Sequence, residues 1–67
     1  MFDRFDLLKE RELNKKSQTD MAKAIGISTK QYGHKELGYS EFKRNEIEII
    51  SKELNLNPEK MQRIFFG

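Results

Sequence analysis

The 67-residue chain has no cysteine, no tryptophan, one proline (Pro58) and one histidine (His34). The missing cysteine excludes disulfides, thiolate chemistry and Cys-based zinc sites together. His34 has neither a second histidine nor a carboxylate pair at ligand spacing, so no metal or other cofactor is expected. Long apolar runs are also lacking: the longest lie near Ile47–Ile50 and Ile64–Phe66. Neither spans a bilayer, and Met1-Phe2-Asp3-Arg4 lacks the features of a signal peptide, so a cytoplasmic protein without a membrane partner is expected. No charge of one sign dominates. Thirteen Lys and Arg face eleven Asp and Glu, for a net charge of +2, much milder than the basic tail of a general nucleic-acid binder. Any DNA-binding role must come from where the charges sit.

Strand-like alternation is absent. Apolar residues recur at spacings of three and four between short polar breaks, which predicts an all-α chain folded as one domain over residues 1–67. The first helix is expected over about Asp3–Asn14, with Phe5, Leu8 and Leu7 on its inner face. Ser17, with Asp20 three residues on, forms an acidic capping box for a helix over Gln18–Ile25 that buries Met21, Ala22 and Ile25. Gly26 ends it in the left-handed backbone region that glycine enters without steric penalty. Ser28-Thr29-Lys30-Gln31 is a second capping box, opening a polar helix that runs to about Leu37 and is closed by Gly38. Two helices joined by so short a turn cannot lie antiparallel; they cross steeply, as in a helix-turn-helix over about residues 17–37. A fourth helix follows, from Lys43 or Asn45 to Leu54, with Ile47, Ile50 and Leu54 on one stripe. Asn57-Pro58 starts a fifth that carries Met61, Ile64 and Phe65.

The segment Gln18-Thr19-Asp20-Met21-Ala22-Lys23-Ala24-Ile25-Gly26-Ile27-Ser28, followed by inward-facing Tyr32, resembles the lambda-type Cro and repressor DNA-binding family from about Leu7 to Leu56. The resemblance implies a compact five-helix bundle that binds double-stranded DNA with the helix beginning at Ser28. It places Thr29, Lys30 and His34 toward base edges. Gln18, Gln31, Lys35, Lys43 and Arg44 become phosphate or positioning residues, and Gly33 a point of close backbone approach to DNA. Arg11 and Glu36 occupy the places of a clamp between the first helix and the reading helix. If the pair is buried, losing one partner costs ~3–5 kcal/mol; as two surface charges it contributes roughly 0–1 kcal/mol. The chain departs from the family at Gly33, at Lys35, where an apolar residue is common, and in the loop Gly38-Tyr39-Ser40-Glu41-Phe42, which lacks the usual basic run.

The expected function is a phage or bacterial transcription regulator of the Cro or repressor type, acting at an operator as a weak homodimer or as a dimer on DNA. The competing reading is an interaction protein of the same fold, an anti-repressor or antitoxin, whose main partner is another phage or host protein. Phe65 and Phe66 favour that reading and are also a candidate hydrophobic dimer contact near the C-terminus, because adjacent helical residues point in different directions. No nucleophile, acid–base pair or phosphate cradle is present, and the chain is not expected to be an enzyme. His34 alone is a solvated or DNA-facing residue rather than a catalytic base.

Overall fold

A computed structural model describes residues 1–67. It contains five helices and no strand: α1 (Arg4–Leu13), α2 (Gln18–Ile25), α3 (Thr29–Glu36), α4 (Arg44–Glu53) and α5 (Pro58–Phe65). Each boundary has a local cause. Asp3 caps α1 by accepting the Asp6 N–H, and Asn57 caps α5 by accepting from Lys60, with Pro58 in the first turn. Both serine boxes form. Ser17 accepts from the Asp20 N–H while the Asp20 carboxylate accepts from the Ser17 N–H, and Ser28 and Gln31 repeat the exchange. The Ser17 N–H, and secondarily its hydroxyl, hold the Asp20 pKa below the ordinary value. Gly26, at φ +77°, turns the chain between α2 and α3, and the Ile27 N–H closes onto the Ala22 carbonyl at 3.0 Å.

One core draws on all five helices: Leu7, Met21, Ala22, Tyr32, Ile47, Ile50, Leu54, Ile64 and Phe65. Ala22 sits, fully enclosed, on the helix that packs most extensively against α3, where a small residue lets the two backbones approach. Half-buried Ile27 plugs the turn beside it. An aromatic cluster closes one end of the core. Phe42 lies 5.6 Å from both Phe2 and Phe65 and 5.9 Å from Tyr32, in edge-on or tilted arrangements. The N-terminus is pinned to α5 by the Asp3 N–H donating to the Ile64 carbonyl and by Arg63 paired with Asp6 at 3.0 Å.

Two expectations need correction. The inner stripe of α1 is Leu7 with Glu10, and Phe5 and Leu8 lie outside, with the Arg4 guanidinium over the Phe5 ring at 4.4 Å. Turning α1 so that Leu7 faces the core also directs Arg11 inward, one turn on from Leu7. Helix α3 ends at Glu36, with exposed Leu37 as its cap and Gly38 after it at φ +89°. Phe65 is a core residue, 8% exposed and packed on Phe2 and Phe42, so it offers no interface; Phe66 alone of the pair is exposed.

Candidate nucleic-acid interface

The serine cap fixes where α3 starts, and Tyr32 fixes its rotation. With Tyr32 and Glu36 inward, one helical turn apart, the outer side presents Thr29, Lys30, Gln31 and His34, all exposed. Lys30 and His34 are four residues apart and share one face. Thr29 is not free: its hydroxyl donates to the Thr19 hydroxyl at 3.2 Å, which ties the first turn of α3 to the first turn of α2. Gln31 spends its carbonyl oxygen on the Ser28 N–H and keeps its two amide donors available.

Behind that face lies a polar network. Arg11 Nε donates to Glu36 Oε1 at 3.0 Å, and its Nη1 donates to the Lys16 carbonyl at 2.9 Å. Gln18 Nε2 donates to the other carboxylate oxygen of Glu36 at 3.0 Å. The Arg11 and Glu36 side chains are 11% and 6% exposed, and every partner is hydrogen-bonded, the condition under which a charge pair survives away from water. Gln18 therefore braces α3 from the N-terminus of α2 and keeps its own carbonyl oxygen free. The Cβ that Gly33 lacks would stand 3.7 Å from the Gln18 carboxamide, so the missing methyl points toward α2.

Lys35 does not reach outward as a phosphate contact. Its ammonium donates to Glu46 Oε1 at 2.7 Å and to the Glu41 carbonyl at 3.2 Å, with 13% of the side chain exposed. The same Glu46 oxygen accepts the Lys43 N–H at 2.8 Å, capping α4. Burial alone would push the Glu46 pKa up; the Lys35 and Lys43 hydrogen bonds and their charges outweigh it and hold it below the ordinary value. A lysine in an apolar place is thus matched by a buried acid on the next helix. The pair draws the N-terminus of α4, with exposed Lys43 and Arg44, beside the last turn of α3. Sequence reasoning missed Thr19, Glu46 and Tyr39, the last packed against His34. A glutamate three residues after Lys43 was the legible signal for Glu46; no pattern singled out Thr19.

A helix-turn-helix family model matches residues 7–61. The chain belongs to the helix-turn-helix family, in its Cro and repressor-like form. No curated protein and no solved structure gives a significant match. The match runs from Leu7 to Met61 and so takes in the clamp, both serine caps, the turn and the capped start of α4. This helix-turn-helix family is one of DNA-binding regulatory domains. No helix is long and apolar enough to cross a membrane.

Proposed function

We propose that this helix-turn-helix protein is a sequence-specific transcription regulator of the Cro or repressor type, which reads an operator with the outer face of α3. The observation that carries the reading is that α3 is locked on its inner side by Tyr32 and Glu36 while Thr29, Lys30, Gln31 and His34 are exposed on its outer side. With its side chains an α-helix is about 10–12 Å across, a fit to a major groove about 12 Å wide. Lys30 would donate to guanine O6 or N7, and Thr29 offers its methyl to thymine. Gln18, Gln31, Lys43 and Arg44 would set register through phosphates, which carry no sequence information. One such helix reads only a few base pairs, so a two-fold pair of copies on half-sites would supply the specificity.

The test is a fluorescence-anisotropy titration against a randomised duplex pool at low and moderate salt, followed by sequencing of the bound fraction. An enriched, two-fold symmetric site supports the reading. Weak binding that salt erases, without enrichment, sinks it. The second reading, a module that acts mainly through a protein partner, is favoured by the exposure of Phe5, Leu37 and Phe66. Under that reading Thr29→Ala with Lys30→Ala leaves partner binding intact; under the first it abolishes site selection.

A further inference from the structure

Tyr39 is the most exposed aromatic ring of the chain, at 77%, and core packing does not explain where it lies. Gly38, at φ +89°, turns the backbone over the end of α3. The Gly38 N–H donates to the Lys35 carbonyl at 3.0 Å and the Tyr39 N–H to the His34 carbonyl at 2.9 Å. This paired closure seats the residue after the glycine against the residue three before the helix cap. As a result the Tyr39 ring lies 5.9 Å from the His34 imidazole, tilted by 58°. Both rings are exposed, and His34 shares its face of α3 with Lys30.

We propose that Tyr39 is a positioning residue for His34, and through it a determinant of which base pair the protein prefers, although it stands outside the reading helix. The inference rests on the DNA-reading role proposed for α3. An unrestrained imidazole on a helix surface samples several rotamers and offers its two nitrogens in many directions. The phenol ring fills part of that space, so fewer orientations remain for a donor or acceptor aimed at a base edge. Holding the group before binding converts a flexible contact into a discriminating one, because less order has to be gained on the duplex. The ring, not its hydroxyl, does this, and the backbone bonds that place it do not depend on the side chain.

The experiment uses the full chain and the duplex that the wild-type protein enriches, with every single-base variant of that duplex. His34→Ala and Tyr39→Ala are expected to lose affinity by a similar factor, roughly tenfold, and to lose preference at the same base pair. The double variant should lose no more than either single one, which is the signature of two residues acting as a unit. Tyr39→Phe should bind as wild type. In the free protein, Tyr39→Ala should shift the His34 imidazole proton resonances while leaving the melting temperature unchanged. Losses that multiply in the double variant, or a Tyr39→Ala loss equal on every duplex, overturn the positioning role while the DNA-reading role stands. A wild-type protein that enriches no duplex overturns both.

Discussion

Tyr32 has no exposed surface, yet its hydroxyl meets no hydrogen-bonding group of the protein. Burial, reinforced by the Glu36 charge, pushes the phenol pKa far up, so the side chain is neutral throughout the working range of pH. The ring is needed against Phe42; the hydroxyl adds only the cost of leaving water. Tyr32→Phe is therefore expected to raise stability by about 1 kcal/mol, seen as a higher urea midpoint at unchanged slope. A lower midpoint means that the hydroxyl is satisfied in solution. Gly33 offers a second residue-scale test. Its backbone is helical, and an added methyl would make only ordinary contact with Gln18. Gly33→Ala should stabilise by up to about 1 kcal/mol, raising the melting temperature by roughly 4–8 °C for a chain of this size. A fall would mean that α2 and α3 pack more tightly around Gln18 than 3.7 Å implies.

At the scale of elements, what could be read in the sequence was what local chemistry dictates. Ser17, Ser28 and Asn57 announce helix starts through side chains that accept their own backbone, and Gly26 and Gly38 announce ends. What was not legible depends on rotation and partners. Leu7 and Leu8 are identical residues side by side, and only the path of α1 over the core decides that Leu7 enters it. Lys35 looks like a surface cation until Glu46 is placed 2.7 Å away. That pair also yields a prediction. Lys35→Ala strands a buried carboxylate and should cost ~3–5 kcal/mol. Lys35→Met with Glu46→Gln removes both charges and keeps an acceptor for the Lys43 N–H, so it should match or exceed the wild type in stability. The folded Glu46 pKa lies below its ordinary 4.5. Its stabilisation is therefore complete above that value and is lost as pH falls through the lower folded one. Urea midpoints taken between neutral pH and pH 3 should show this component in the wild type and lack it in the double variant.

For the whole molecule, the weak net charge of +2 hides an uneven use of cations. Lys35 and Arg11 are consumed internally, Lys16 pairs with Glu53, Lys60 with Glu10 and Arg63 with Asp6, and among the cations left unpaired Lys30 lies on α3 and Lys43 and Arg44 at the start of α4. The body measures 27 × 23 × 20 Å, so two copies fit at half-sites ~34 Å apart without overlap. With Lys30, Lys43 and Arg44 as the cations proposed to face DNA in each copy, the salt dependence should be shallow and countable. Each lysine or arginine on a phosphate contributes about 0.9 to the slope of log affinity against log salt. Lys43→Ala should therefore lower that slope by about one unit per copy and weaken specific and scrambled duplexes alike. The Lys35→Met, Glu46→Gln variant should leave the slope unchanged, because Lys35 faces Glu46 and releases no counterion. Equal reductions from both changes would place Lys35 on the DNA and require that its bond to Glu46 open on binding. No reduction from Lys43→Ala would move the phosphate contact from the first residues of α4 to the N-terminus of α2 at Gln18.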